Sequence, residues 1–140
     1  MASSQVRELL DHWSEAIRAK DIDRLMALYD PDIVYFDVVP PLRHIGSGAV
    51  RRNFLRWFDS WASPIGQQIG DLHLVTNEDI AVAHMLIRAS GTLKNGREVN
   101  YWVRATVACH RAESGWVIAH EHVSLPVDVA SGQAAMDLVP

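Results

Sequence analysis

The hydrophobic positions in the first half of the chain recur at helical spacing. They predict an amphipathic helix over residues 4 to 19, a shorter helix that Asp21 caps and Pro31 ends, and a third helix that stops before Pro64. The apolar faces of these helices are, in order, Val6, Leu9, Leu10, Trp13 and Ile17; Ile22, Leu25, Met26 and Tyr29; and Val50, Phe54, Trp57, Phe58 and Trp61. The segment IVYFD, residues 33–37, is β-branched and aromatic, and it predicts a short strand between the second and third helices.

From residue 67 onward the pattern changes to alternation broken by tight turns. We predict strands near 67–76, 79–92, 97–111 and 116–125, with Asn95-Gly96 as a hairpin signal, which is typical of an antiparallel meander. Helices that precede such a sheet predict an α+β domain, in which a cone-shaped barrel of curved antiparallel sheet wraps on the N-terminal helices. The open end of the cone predicts a ligand pocket.

Composition narrows the class of protein. The chain has 140 residues, 49% of them hydrophobic, and we expect one domain over residues 1–140 with a core at about 4–127 and a C-terminal tail at 128–140. Thirteen scattered basic residues against seventeen acidic ones argue against nucleic acid as a partner. No signal peptide or long apolar run is visible, so we expect a cytoplasmic protein without a membrane partner. The single cysteine, Cys109, has alternating apolar neighbours and is predicted to be a buried, reduced thiol.

Two phrases, LYDPDIVYFDVVPPLRHIG and GWVIAHEHVSLP, combine with this order of elements in a resemblance. Over residues 4 to about 127 the chain resembles the nuclear transport factor 2-like superfamily, and within it the SnoaL-like group of polyketide cyclases and ketosteroid isomerase relatives. The resemblance implies the cystatin-like, cone-shaped fold of that superfamily. It does not imply one function, because the fold hosts enzymes, transport adaptors and oligomerisation domains.

Two relatives can be compared residue by residue. The resemblance to ketosteroid isomerases places Asp37 at their general-base aspartate, while their oxyanion-hole tyrosine falls near Trp13 and their protonated aspartate near Val107. Neither replacement can act as the donor, which argues against steroid isomerisation itself. The phrase TVACHRAESGWVIAHEHVS is similar to the association domain of the calcium/calmodulin-dependent kinases, an oligomerisation hub with an arginine-lined pocket for carboxylates. Arg88 matches one arginine of that pocket.

Asp37 ends an otherwise apolar strand, so we expect its side chain where the interior meets the mouth loop. A carboxylate in that position can be desolvated enough to act as a general base. The alternative is that Asp37 accepts hydrogen bonds from loop amides or pairs with Arg43.

His120 and His122 lie two residues apart and so share one face of a strand. They could bind a metal, form structural hydrogen bonds, or bind and protonate a ligand in the pocket. The metal interpretation lacks a nearby carboxylate, because no acidic residue follows until Asp128, and no later histidine exists. We therefore expect no metal site and take His120 and His122 as catalytic candidates beside Asp37.

The pairing of these histidines with the preceding strand stays open. That strand has a polar face, with Trp102, Arg104, Thr106 and His110, and an apolar face. An unbroken hairpin would set His120 opposite Val107 on the apolar side, whereas a one-residue bulge would set it with the polar face. If the polar face lines the cone, its arginines and histidines form an anion site; if it faces out, Trp102 and Arg104 belong to a dimer surface.

The residues we expect to bind a ligand are Trp13, Tyr35, Arg43, Trp57, Trp61, Arg88, Trp102 and Arg104. Trp57 and Trp61 have helical spacing and fit a plain core position as well as a pocket roof.

The sequence predicts a SnoaL-like protein that binds a small molecule. Our first hypothesis is an enzyme without a dissociable cofactor that moves a proton on an apolar or carboxylate-bearing substrate, as in isomerisation, cyclisation or hydration. The alternative is a non-catalytic ligand-binding or oligomerisation domain that resembles the kinase association domain. In both cases we expect a homodimer.

Overall fold

The structure, a computed structural model, describes residues 1–140. Its elements follow in the order α1 (Ala2–Arg18), α2 (Ile22–Met26), β1 (Tyr29–Phe36), β2 (His44–Ile45), α3 (Ser47–Asp59), β3 (Gly66–Thr76), β4 (Ile80–Thr92), β5 (Glu98–Ala112), β6 (Gly115–Ser124), β7 (Val127–Asp128) and β8 (Gln133–Ala134). The α+β class is confirmed, and the four long strands begin and end within one residue of their predicted bounds.

Six strands form one sheet in the order β2-β1-β6-β5-β4-β3, and β7 and β8 form a separate hairpin. The four long strands are antiparallel neighbours, as predicted. The sheet as a whole is mixed, however, because β1 pairs in parallel with β6. It is also open, since β2 and β3 lie at its two edges instead of closing the barrel that the sequence predicted.

One face of the sheet is buried beneath the helices. Along β4 and β5, buried residues alternate with exposed or half-buried ones, as expected for strands with one face in the core. We call the covered side the inner face and the other side the outer face. The buried inner residues of these two strands are Ala81, Ala83, Met85, Ile87, Ala89, Val103, Ala105, Val107 and Cys109. The helices contribute Leu10, Trp13, Leu25 and Phe54 to the same core, and each such side chain contributes about 1.5–3 kcal/mol by leaving water.

Cys109 is buried in this core, as predicted. Burial raises the pKa of its thiol to about 12, so the sulfur stays protonated at neutral pH. A protonated, buried thiol is a poor nucleophile.

Asp21 caps the second helix, because its carboxylate accepts a hydrogen bond from the backbone N–H of Arg24 at 3.2 Å. That helix is shorter than predicted and ends at Met26. The first helix, by contrast, begins two residues earlier than predicted.

Tyr29 begins strand β1 and does not lie on the second helix as predicted. The parallel pairing of β1 with β6 is interrupted between Tyr29 and Val34. The interrupted segment contains Pro31, which has no backbone N–H to donate. Tyr29 pairs with Ile118 and is buried. Its phenol therefore enters the core from a strand and not from the helix that the sequence predicted.

A β-bulge decides which side chains of β6 face the core. Cys109 pairs with Ile118, and the residue before it on β5, Ala108, pairs with His120. Ala119 is therefore left without a partner. The alternation of side chains is therefore inverted after Ala119.

The open question of register is answered by this bulge. His122 pairs with Thr106 on the outer face, and Glu121 pairs with Val107 on the inner face. The polar face of β5 points outward, and Glu121 points into the core, where it is 1% exposed.

No helix in the structure combines the length and the apolar character needed to cross a membrane. The residues after β6 form the short hairpin of β7 and β8, and most of them are exposed.

Gly91 fixes the junction between β4 and the end of α3. Its φ of +148° and its surroundings both exclude a side chain, because an added Cβ would lie 2.6 Å from Ser63 Oγ and 3.0 Å from both the Pro64 carbonyl oxygen and the Trp61 ring. We expect Gly91→Ala to lower the free energy of unfolding by about 1–3 kcal/mol in urea denaturation. Gly48→Ala is the matched control in an exposed helical position, and we expect it to raise stability by about 0.5–1 kcal/mol. Equal effects of the two substitutions would contradict this account.

Candidate functional site

The site lies at the end of the sheet where β1 and β6 finish and β5 begins. Asp37 follows the last residue of β1, and Phe36 pairs with His122 near the end of β6. The second half of α3 covers this end, with Asn53 and Trp57 on the covering surface. We call it the Asp37 end of the sheet.

Glu121 is held in the core by tyrosine hydroxyl groups. Tyr29 donates its phenolic O–H to Glu121 Oε1 at 2.6 Å, and the indole Nε1–H of Trp13 donates to the Tyr29 oxygen at 2.9 Å. Tyr35, on the same face of β1, also interacts with the Glu121 carboxyl through its hydroxyl. The chain of donors runs from α1 through β1 to β6, and we call Trp13, Tyr29, Tyr35 and Glu121 the buried acid cluster.

Burial raises the pKa of Glu121 to about 7. The hydrogen bonds from Tyr29 and Tyr35 oppose this rise, and the negative charge of Asp37 adds to it. The same burial raises the pKa values of both phenols well above their usual range, so both remain hydrogen-bond donors. Glu121 is therefore a carboxylic acid that can hold or release a proton near neutral pH.

Asp37 is half-buried above this cluster and is anchored on both of its oxygens. Asn53 donates its side-chain N–H to Oδ2 at 2.7 Å, and the backbone N–H of Val38 donates to Oδ1 at 2.7 Å. These two hydrogen bonds fix the orientation of the carboxyl group. A hydrogen bond from a loop amide was one of the two alternatives that the sequence left open for Asp37. It is present here, and the Asp37 side chain also faces Glu121.

Tyr101 contributes a further hydroxyl group at the Asp37 end. Its pKa is raised, mainly by burial, with an added contribution from the charge of Asp37 and an opposing hydrogen bond from Trp57. Because its pKa is raised, the phenol remains protonated and keeps a hydroxyl hydrogen that can be donated.

The structure does not bring His120 and His122 together with Asp37. His120 bonds through Nδ1 to the backbone carbonyl of Val34 at 2.7 Å, and its ring packs against Phe36 at 4.9 Å on the outer face. His122 is exposed beside the same ring. The bulge at Ala119 turns both histidines to the outer face, away from Asp37. His120 forms a structural hydrogen bond, which was one of the alternatives that the sequence left open.

The arginine candidates also lie outside the core. Arg88 donates to Asn100 Oδ1 at 2.8 Å and Arg104 donates to Ser124 Oγ at 3.1 Å, both on the outer face, while Arg43 is exposed on the loop after β1. The anion site that Arg88 and Arg104 would have formed inside the cone is therefore not present. Trp102 lies on the outer face as well, above Gly70 of β3.

Trp57 of α3 and Trp61, just after that helix, differ in burial. Trp61 is buried and forms part of the core, whereas Trp57 is half-buried and reaches Tyr101. Trp57 packs edge-on against Trp61 with 5.8 Å between ring centroids, so the two share one aromatic surface.

The deep part of the expected chamber is filled. Tyr29 and Tyr35 each pack against Phe54, with centroid separations of 5.9 Å and 5.7 Å. A hollow of about 500 Å³ lies elsewhere, between the start of α1 and the turn from β5 to β6. A ligand at this site would contact the Asp37 end and not a preformed deep pocket.

No three histidine, cysteine, aspartate or glutamate side chains come together as a metal-binding group.

Sequence reasoning missed Glu121, Tyr29, Asn53 and Tyr101. A signal existed for Glu121, since it stands among the apolar residues of the last long strand. Without the bulge, however, Glu121 was assigned to the face opposite His120 and His122 and to no pocket. Tyr29 was missed because its strand was taken for a helix.

The match to a family is extensive. The SnoaL-like domain family matches residues 6–128, and the chain belongs to that family. Comparison with curated proteins gave no match.

Solved structures share the fold. An NTF2-like protein of unknown function from Pseudomonas putida KT2440 has a TM-score of 0.91 and 31% identity, covering 99% of this chain and 96% of that chain. A provisionally assigned calcium/calmodulin-dependent protein kinase II association domain from Xanthomonas campestris has a TM-score of 0.77 at 22% identity, covering 89% and 87%. A ketosteroid isomerase-like protein from Erwinia carotovora atroseptica SCRI1043 has a TM-score of 0.74 at 18% identity, covering 86% and 93%. The predicted resemblance is thus confirmed.

The buried acid cluster makes stability depend on pH. The pKa of Glu121 is about 7 in the folded chain against 4.5 ordinarily, so the folded state binds this proton more tightly and loses stability as pH rises from 4.5 through 7. Glu121→Gln removes this loss, and we expect it to be neutral at pH 4.5 but to raise the free energy of unfolding by about 3 kcal/mol at pH 8. Urea denaturation at both pH values tests this, with the exposed Glu113→Gln as control. A gain that is independent of pH would contradict a buried, protonated Glu121.

Proposed function

We propose that the protein is a small-molecule enzyme that transfers protons without a dissociable cofactor, with Asp37 as the general base. The observation that carries this proposal is the pair of carboxyl groups in different environments. Asp37 is half-buried at the end of β1 with a donor on each oxygen, whereas Glu121 is fully buried and burial raises its pKa to about 7. Environments that separate two acids in this way are typical of acid–base sites.

The surroundings of Asp37 suit an apolar substrate. The loop after β1 exposes three apolar side chains, Val38, Val39 and Leu42. Exposed apolar surface of this kind often marks a binding site. Trp57 and Tyr101 add an aromatic surface on the other side. A substrate that covers these groups would also remove water from the Asp37 carboxylate and strengthen it as a base.

A reaction of this kind needs no external proton donor or acceptor. Asp37 accepts a proton from a carbon next to a carbonyl group and returns it to the same or a neighbouring carbon. Below about pH 7 Glu121 is mainly neutral, which avoids a second negative charge close to the enolate. Burial holds its proton, and this effect outweighs the hydrogen bond that Tyr29 donates to the carboxyl.

A non-catalytic binding or assembly domain is the alternative. Its carboxylate pocket would need Arg88 in the interior, and Arg88 lies on the outer face instead. The outer face supports assembly itself, because Val75, Ile80 and Val82 are 74%, 56% and 42% exposed on neighbouring strands. We propose a homodimer through this face, and it is compatible with either function.

Asp37→Asn keeps the size and shape of the side chain and one acceptor oxygen, and it removes the basicity. We expect the wild-type protein to accelerate exchange of the α-hydrogens of 2-tetralone, an apolar ketone, in D₂O, and the variant to lose about 10²- to 10⁴-fold of that rate in ¹H NMR. The control is Asp32→Asn, an exposed carboxylate on the same strand. An unchanged rate in Asp37→Asn would exclude Asp37 as the base.

The proposed dimer is tested by sedimentation. We expect wild-type protein at micromolar concentration to sediment as a dimer, and Val82→Glu to sediment as a monomer because it places a charge in the apolar interface. Leu42→Glu, on the loop beside Asp37, is the control and should stay dimeric. A wild-type monomer would exclude the dimer, and a dimeric Val82→Glu would exclude this face.

A further inference from the structure

The residues after β6 form an arm that has no partner surface in its own chain. We call residues 126–140 the C-terminal arm. Its hydrogen bonds all join residues between Pro126 and Ala135, so they hold the small hairpin together and do not attach it to the rest of the fold. The arm nevertheless exposes five apolar side chains, which are Val127, Val129, Met136, Leu138 and Val139. So much exposed apolar surface on a short segment indicates that the segment lies against another surface.

The arm is also acidic. It contains Asp128 and Asp137 and no lysine, arginine or histidine. Asp128 is used within the hairpin, because its carboxylate accepts hydrogen bonds from the Ala130 N–H and the Ser131 hydroxyl group, each at 3.1 Å. Asp137 follows the hairpin and is exposed, and it forms neither a hydrogen bond nor an ion pair. The surface that receives the arm must therefore combine apolar area with a cation.

The outer face offers this combination around Trp102. Arg88 is the direct cross-strand partner of Trp102, and Arg104 follows two residues later on β5, so the three side chains share the outer face. Each guanidinium group donates its Nε–H to a neighbouring side chain, Asn100 or Ser124, which fixes its direction. Neither arginine forms an ion pair. The remaining N–H groups of both guanidinium groups are free to bind a carboxylate.

We propose that the C-terminal arm of one copy of the chain lies on the outer face of a second copy, with Asp137 bound by Arg88 and Arg104. The apolar residues of the arm then cover Trp102. This inference rests on the proposed homodimer and names the segment that each copy contributes and the residues that receive it.

The distribution of charge favours this occupant. The chain has a formal net charge of -4, yet the outer-face residues of β4, and those of β5 from Asn100 to His110, include two arginines and no carboxylate. Glu98, the first residue of β5, pairs with neither arginine. An acidic, apolar segment is complementary to such a surface in both charge and hydrophobicity.

A second copy accounts for both unpartnered surfaces at once. The arm starts two residues after Ser124, which pairs with Arg104, but Asp137 does not contact that arginine in its own chain. In a two-fold dimer each copy offers one arm and one receiving surface, so both arms are covered. The five residues 136–140 span about 16 Å when extended, which is the width of about three neighbouring strands.

Reversal of charges tests the contact. We expect Asp137→Arg to raise the dissociation constant of the dimer about tenfold in sedimentation, because it places like charges together. Adding Arg104→Glu to that variant should bring the constant back to within about threefold of the wild-type value, since it restores opposite charges. Glu113→Arg, at the exposed turn between β5 and β6, makes the same change in net charge and should leave the constant unchanged.

Cross-linking between chains tests whether the arm crosses to the partner. A Leu138→Cys chain and a Thr106→Cys chain of different length, made by an affinity tag, are mixed and treated with a short bismaleimide. Thr106 is exposed two residues after Arg104, and the native Cys109 is buried. We expect a covalent product that contains one chain of each length. Ser114→Cys in place of Thr106→Cys is the control and should give no such product, because Ser114 lies at the opposite end of β5.

The proposal is overturned if Asp137→Arg leaves the dissociation constant unchanged, if Arg104→Glu fails to restore it, or if the mixed chains do not cross-link. A chain that carries both cysteines and cross-links only within itself would also overturn it. Failure of the proposed dimer is a different result, since the wild-type protein would then be a monomer. A dimer that Val82→Glu dissociates and Asp137→Arg does not would keep the outer face as the interface and remove the arm from it.

Discussion

One unpaired residue, Ala119, determines which chemistry the core contains. The bulge at this position inverts the alternation of β6, so that Glu121 enters the core and His120 and His122 leave it. An unbroken hairpin would have buried two imidazoles against Val107 and exposed the carboxyl group. The burial of Glu121 and the distance of the histidines from Asp37 are both consequences of this single irregularity.

The bulge also explains the electrostatic character of the site. It brings a second acidic side chain beneath Asp37 without any cation to neutralise it, because Arg88 and Arg104 occupy the outer face. Burial favours Glu121 as a neutral acid below its pKa of about 7, with Tyr29 bonded to it, since an unpaired buried charge costs far more than a buried, hydrogen-bonded group. The result is two carboxyl groups in different environments, one at the exposed end and one buried beneath it.

Much of the fold could be predicted from the sequence, because it depends on local patterns. The helical spacing of Leu9, Trp13 and Ile17 and the Asn95-Gly96 hairpin each act over a few residues, and the elements they predict are present. The position of Asp37 at the end of its strand also followed from local alternation together with the family resemblance. The parallel pairing of β1 with β6 could not be predicted in this way, since it joins segments about ninety residues apart.

The site was less predictable than the fold for the same reason. Glu121 acquires its role from a bulge, and Tyr29 acquires its role because the chain turns into a strand before Pro31. His120 and His122 have the spacing of residues that share one face of a strand. That face is the outer one, however, so neither side chain reaches Asp37.

The long-range bond between Tyr29 and Glu121 bears on how the protein is made. The two residues are 92 positions apart, so α1, α2 and β1 leave the ribosome well before the strand that covers them. Until β6 emerges, the aromatic side chains of this first segment have no sheet to pack against, and long-range strand pairing of this kind forms slowly. The nascent N-terminal segment is therefore the part of the chain that would most need protection by a chaperone during synthesis.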